Sequence, residues 1–389
     1  MNKIEKLIQE FCPDGVEYYE LGDIGKITIG EFVHKSRQSE NGRYPVYNGG
    51  TTNTGLYDDF NNTSNKIVVS ARGANAGYVN KVLVDYWAGN SCYSISFIDN
   101  FKIDWIFVYY YLKQNEHKLI GDQQKGGIPA ISKKMIERFK IPVPPLPVQQ
   151  EIVNILDKFT QLDEELNAEL EIRRIQYDCY LNQLMGFEIK DVEWSKISEI
   201  GKCFAGATPK TSVNAYWENG TIPWMSSGEV NSGNIYETEK KITKLGFDNS
   251  STKMIPSNSV VIALAGQGKT RGTVAITRIP LCTNQSLCAV VTGGRVNSDF
   301  LYYYLKTQYS KLRNLSSGEG TRGGLNLQMI GDFKIPIPPL SEQERIVSIL
   351  DKFDSLVNDT KVGIPAEIET RRKQYEYYRN KLLTFEEYA

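Results

Sequence analysis

The chain has 389 residues, 41% hydrophobic and 23% charged, which is the balance of a folded globular protein of two or three domains rather than a disordered one. Six cysteines lie at 12, 92, 179, 203, 282 and 288 without CxxC spacing, and there are only two histidines. That argues against a structural zinc site or a disulfide framework and fits a reducing cytoplasm. The net charge of −1 at first disfavours nucleic acid, but residues 148–190 carry four basic against nine acidic side chains, while 191–340 carry sixteen against eleven. The larger segments therefore carry the positive charge that a nucleic-acid-binding face needs locally.

In chain order, Met1–Glu10 is a short amphipathic stretch unlike a signal peptide, and apolar runs such as Trp105–Leu112 are too short to span a membrane. The apolar run 67–71 (IVVSA) predicts a buried strand, and 105–113 (WIFVYYYLK) an amphipathic helix with an aromatic core. Glycine-rich loops are expected at 47–55 and 70–77. Residues 139–159, FKIPVPPLPVQQEIVNILDKF, then lead through a Pro-Pro pair into a long helix over 148–186. Pro147 suits a first helical turn, where its missing N–H has no partner to lose.

The same text then recurs. Residues 333–353 read FKIPIPPLSEQERIVSILDKF, and RRIQYDCYLNQLMGF at 173–187 returns as RRKQYEYYRNKLLTF at 371–385. The second copy holds four extra residues between its blocks. Weaker echoes pair 67–82 with 260–276, 105–113 with 300–306, and 19–30 with 197–209. The expected organisation is a globule at 1–147, a helix at 148–190, a second globule at 191–340 and a second helix at 341–389. Ser341 with Glu344 reads as a capping box for the second helix.

A coiled-coil seam follows from steps of three and four. It comprises Ile152, Leu156, Phe159, Leu166, Leu170, Tyr177, Tyr180 and Leu184, with Asp163 and Arg173 as polar exceptions. In the second helix it comprises Ile346, Leu350, Phe353, Val357, Ile364, Ile368, Tyr375, Tyr378 and Leu382. Gly363 and Pro365 predict a kink or short break. A helix of this length spans roughly 60 Å. Two equivalent helices are expected to pack antiparallel about a pseudo-two-fold axis, with one globule at each end. The fold class is thus mixed α/β, two globular domains separated by two long helices in an antiparallel coiled coil.

Two unlike globules on a rigid spacer suit two recognition events on duplex DNA, with an asymmetric, interrupted target. Candidate contacts come from the glycine-rich loops: Arg72, Asn75, Lys125, Gln267, Lys269, Arg271 and Arg322, with Asn90, Asn284 and Gln285 behind them. Arginine and lysine suit guanine edges or phosphate, asparagine and glutamine suit adenine. The segment Ala263–Thr270 fits a loose phosphate-loop pattern, but RGTVAIT after it reads as a strand rather than the required helix. No methyltransferase, nuclease or acyl-transfer constellation stands out, so no catalytic or metal-ligating residue is expected. A self-contained methyltransferase or ATPase, or a DNA-independent adaptor, is the alternative.

The paired blocks FKIPxPPLxxQxxIVxILDKF and RRxQYxxYxNxL, with 11–27 and 206–230, resemble the specificity subunit of type I restriction–modification systems over nearly the whole chain. The resemblance implies two target-recognition domains, each reading half of a bipartite double-stranded DNA sequence. It implies that the helices act as a ruler and dock two modification subunits, which methylate adenine with S-adenosylmethionine. It further implies restriction subunits that translocate and cleave DNA with ATP and magnesium. The chain itself would need no cofactor and no membrane. Copy one lacks the Gly-x-Pro-Ala-Glu segment of 363–367, and Val148 stands where copy two has Glu342, so spacer length and docking at the two ends do not transfer directly.

Overall fold

A computed structural model describes residues 3–98, 102–121, 129–188, 191–266, 270–315 and 324–388. The chain separates into two compact units, one of residues 1–167 with 367–389, the other of 168–366. The first unit joins two separated stretches of chain and the second is continuous, and each combines one globule with part of both helical regions.

In the first unit, strands β1 (Gly25–Ile29), β2 (Lys66–Ser70), β3 (Val79–Val82) and β4 (Cys92–Phe97) form a sheet in the order β1-β4-β2-β3. All its neighbours are antiparallel. Strand β2 is apolar at successive positions because both its faces are covered. Ile67 and Val69 enter the main core, and Val68 enters a second cluster with Val82, Tyr86 and Cys92. Helix α1 (Trp105–Gln114) starts at Asp104, whose carboxylate accepts from the Ile106 amide at 2.8 Å, and lays Phe107, Val108 and Leu112 onto the core.

Helix α2 runs from Leu146 to Leu184, 39 residues, close to the expected span, with Pro147 in its first turn. Its opening residues Val148, Ile152 and Leu156 are fully buried in the globule's own core, so this part of the seam serves helix–globule packing as well as helix–helix packing. Farther along, Phe159 stacks on Tyr378 at 5.6 Å, and Arg372 donates to Asp163 at 2.9 Å. Rising numbers on one helix meet falling numbers on the other, an antiparallel pair within this unit.

The second unit repeats the plan. Strands β5 (Gly201–Ala205), β6 (Asn234–Ile235), β7 (Val260–Ala263), β8 (Val274–Thr277) and β9 (Leu287–Thr292) form a sheet in the order β5-β9-β7-β8-β6. Helix α3 (Ser298–Thr307) covers it as α1 does in the first unit. The stretch after Ala263 returns as β8, antiparallel to β7, and not as a helix, so the phosphate-loop resemblance dissolves into a hairpin.

The second long segment is broken into α4 (Leu340–Asn358) and α5 (Ile364–Leu382), at the place Gly363 and Pro365 marked. A Cβ on Gly363 would come under 3.0 Å from the carbonyl oxygens of Ser355, Leu356 and Asp359, so only glycine fits the turn. The Asp359 carboxylate accepts from the Lys361 amide at 2.7 Å and holds it. The expected capping box of Ser341 and Glu344 is absent: Pro339 is the N-cap, and Ser341 lies inside the first turn.

The seam is borne by most of the expected residues, with two departures. Tyr180 and Tyr378 are 44% and 38% exposed, each keeping one ring face on Phe353 or Phe159. Leu181 and Met185 are buried in place of Tyr180 and the half-buried Leu184. A straight helix drifts about 20° per heptad from a 3.5-residue repeat, which moves the inward face by one position over this length. The remaining seam residues, Leu166, Leu170, Tyr177, Ile346, Leu350, Val357, Ile364, Ile368, Tyr375 and Leu382, are buried or half-buried.

In each unit a buried glutamine ties the globule to its long helix. Gln149 Oε1 accepts from the Asp104 amide at 2.7 Å, and its Nε2 donates to the carbonyls of Lys102 and Pro144. Gln343 does the same with the Asn297 amide at 2.8 Å and the carbonyls of Arg295 and Pro338. Eight residues on, Tyr110 donates to Asp157 at 2.5 Å and Tyr303 to Asp351 at 2.7 Å.

Candidate nucleic-acid interface

The register places the glycine-rich loops of the first globule at one end of its sheet. Ser70 lies opposite Cys92, and Ile29 opposite Tyr93, so the segments 71–78, 89–91 and 30–32 emerge side by side. The turn after Tyr47 joins them: the Asn48 carboxamide oxygen accepts from the Ser91 amide at 3.2 Å, and Ser70 Oγ donates to the Gly50 carbonyl at 3.0 Å. Ala71 N–H reaches the Ser91 carbonyl at 2.8 Å, and Gly73 N–H reaches Pro129 at 2.9 Å. Gly30 is required here, since a Cβ would run into the Ala88 and Gly89 carbonyls.

The second globule builds the same cluster from other residues. Leu264 N–H reaches the Ser286 carbonyl at 2.8 Å, Asn284 N–H the Met225 carbonyl at 3.1 Å, and Leu325 N–H the Leu264 carbonyl at 2.8 Å. Gly206 approaches Thr283 as Gly30 approaches Ala88. The backbone plan is thus repeated while the side chains it displays differ.

Of the expected contact residues, Arg72 and Asn75 are exposed on the first cluster, with Asn90 half-buried beside them. On the second, Gln285 is exposed and Asn284 half-buried. The Asn284 carboxamide oxygen accepts from the Ser286 amide at 3.0 Å, so it shapes its own turn. Arg271 is only 7% exposed, which places it in the interior rather than on the displayed surface. Lys125, Gln267, Lys269 and Arg322 lie outside the described residues. Sequence reasoning missed Thr208, whose hydroxyl donates to the Gln285 carboxamide oxygen at 2.5 Å and so orients that side chain.

The thiols of Cys92 and Cys282 are buried beneath the loops. Burial pushes Cys92 up to about 12 and Cys282 up to about 11, so both stay protonated at neutral pH. Cys92 donates to the Tyr47 carbonyl. Among the described residues no group of three or more His, Cys, Asp or Glu side chains is placed to hold a metal ion, and no helix is long and apolar enough to cross a membrane.

The family model for the type I restriction modification DNA specificity domain matches residues 13–172 and again 189–370. The chain belongs to this family. Its two matches are the two repeats, each taking in one loop cluster and more than half of a long helical segment. The specificity subunit of the Escherichia coli type I restriction enzyme EcoR124I/EcoR124II is 38% identical over 72% of this chain and 70% of its own length. The Escherichia coli EcoprrI specificity subunit is 29% identical over 54% of this chain and 53% of its own. Among solved structures, the S subunit of a type I system from M. genitalium superposes with a TM-score of 0.63 at 19% identity, covering 95% of this chain and 96% of that one. The HsdS subunit from Thermoanaerobacter tengcongensis gives 0.53 at 16% identity, covering 96% and 97%. This specificity subunit therefore has the mixed α/β fold of its family, with α2 as the central coiled-coil helix, and DNA sequence recognition is the family's role.

Proposed function

We propose that the two loop clusters read two different half-sites of one interrupted DNA target, and that the long helices set the number of unread base pairs between them. The observation that carries this is the repeat of scaffold without repeat of display: Arg72, Asn75 and Asn90 on one cluster answer to Asn284 and Gln285, with Thr208, on the other. Arginine offers a bidentate fork to guanine O6 and N7, while the amides suit adenine N6 and N7. Equivalent frames carrying unlike side chains give an asymmetric target.

In this reading the chain supplies no catalytic group and holds no cofactor. Two modification subunits, docked on the helices, bring S-adenosylmethionine and methylate adenine; restriction subunits bring ATP and magnesium. Exposed apolar side chains on the helices, Ile172, Ile175 and Tyr377, support a docking role. Nothing in the reading needs a membrane, and the complex would act on DNA in the cytoplasm.

Sequencing of methylated genomic DNA from cells with and without this chain tests the proposal. The expected result is one bipartite adenine-methylated motif of fixed spacing that disappears with the chain. Methylation unchanged by its removal would refute it.

A further inference from the structure

The two glutamines have no obvious reason to be there. Gln149 and Gln343 are both fully buried, on the apolar stripe of their helices, three residues before Ile152 and Ile346. A leucine would fill the space but would leave the buried carbonyl of Pro144 or Pro338 unpaired. Each amide instead makes three hydrogen bonds to main-chain groups, including the amide of the residue that caps the globule's own helix, Asp104 for α1 and Asn297 for α3. Six residues into that capped segment, Tyr110 or Tyr303 reaches back to Asp157 or Asp351. Eight residues along a helix is about 12 Å. Apolar packing of Ile152 and Leu156, or of Ile346 and Leu350, holds each helix on its globule but is not directional; two hydrogen-bonded points that far apart add a fixed angle to it.

We infer that Gln149 with Tyr110, and Gln343 with Tyr303, are positioning residues that lock the angle between each reading globule and its long helix, and so set how strictly spacer length is enforced. The inference rests on the proposed reading of two spaced half-sites. The pins touch no part of the loop clusters, so they act on spacing and not on base preference. Both units keep the pins while the loops above them diverge, as expected if a common geometry serves different targets.

The test uses the whole chain assembled with its modification subunits. Variants are Tyr303→Phe, Gln343→Met and the double substitution. Substrates are duplexes carrying the native half-sites with spacers of native length and one or two base pairs shorter or longer, read by methylation at each. Wild type should methylate one spacing. The double variant, which removes one hydrogen bond at Tyr303 and three at Gln343, should raise off-by-one methylation relative to native by about tenfold or more, with half-site preference unchanged. Tyr303→Phe, which preserves shape, should give a smaller broadening and keeps the test decisive if Gln343→Met does not fold. A lowered rate with an unchanged spacer profile in Tyr303→Phe and in every folded variant would overturn the inference, as would altered base preference. If wild type itself ignores spacer length, it is the ruler reading that fails.

Discussion

Glu199 shows how a single side chain sets local structure in the second globule. Its carboxylate accepts from Ser195 Oγ at 2.7 Å and from the Lys196 amide at 2.9 Å, and these bonds hold it below the ordinary carboxylate value of 4.5. A depressed folded-state value means stabilisation that is complete above pH 4.5 and is lost as pH falls through the folded value. Glu199→Gln should therefore lower stability at neutral pH and flatten the pH dependence below 4.5, as thermal denaturation across pH 3–7 would reveal. At the interface, Arg72→Ala should cost about 1–3 kcal/mol of discrimination in one half-site only, measured by competition between cognate and substituted duplexes. The exposure of Arg72 and Asn75 was legible because a glycine-rich loop after an apolar strand announces an exposed turn, and that of Gln285 because it lies in a short polar stretch between apolar runs. Arg271 was not, because it sits in the turn before β8, and a turn residue rich in polar neighbours gives no sign that its side chain is buried. Thr208 is distant in sequence from Gln285 and gave no signal. Gln149 and Gln343 did give one: each is a polar residue on an otherwise apolar helical stripe.

The helices were the most legible elements, since periodicity over some 39 residues is hard to mistake. The break at Asp359–Gly363 was also written in the chain, in a glycine and a proline placed where copy one has neither. What the sequence hid was the sharing of each helix between partners, because an apolar stripe does not say which surface covers it. The switch from Tyr180 and Leu184 to Leu181 and Met185 has the same origin in accumulated helical drift. Gly363→Ala should force the turn open and cost about 1–3 kcal/mol, seen as a lower melting temperature. Arg372→Ala, which breaks an exposed pair with Asp163, should cost about 0.2–1 kcal/mol, with the effect shrinking at high salt. Adding four residues after Asp163 lengthens α2 by about 6 Å, which corresponds to roughly two base pairs of duplex. The methylated motif should then keep both half-sites and gain a longer gap.

At the scale of the molecule, one unit of structure has been used twice with different loops. The stacked pair Phe159–Tyr378 of the first unit is the counterpart of Phe353–Tyr180 in the second, and Phe107–Phe385 is the counterpart of Phe300–Phe187. Because the scaffold contacts repeat and the display does not, a reader should be exchangeable without disturbing its counterpart. The most direct test replaces residues 191–332 with the corresponding globule of another family member and maps methylated adenines genome-wide. One half-site should change, while the other half-site and the adenine on its side remain as before. A chimaera that assembles and methylates, yet alters both half-sites or neither, would contradict the account.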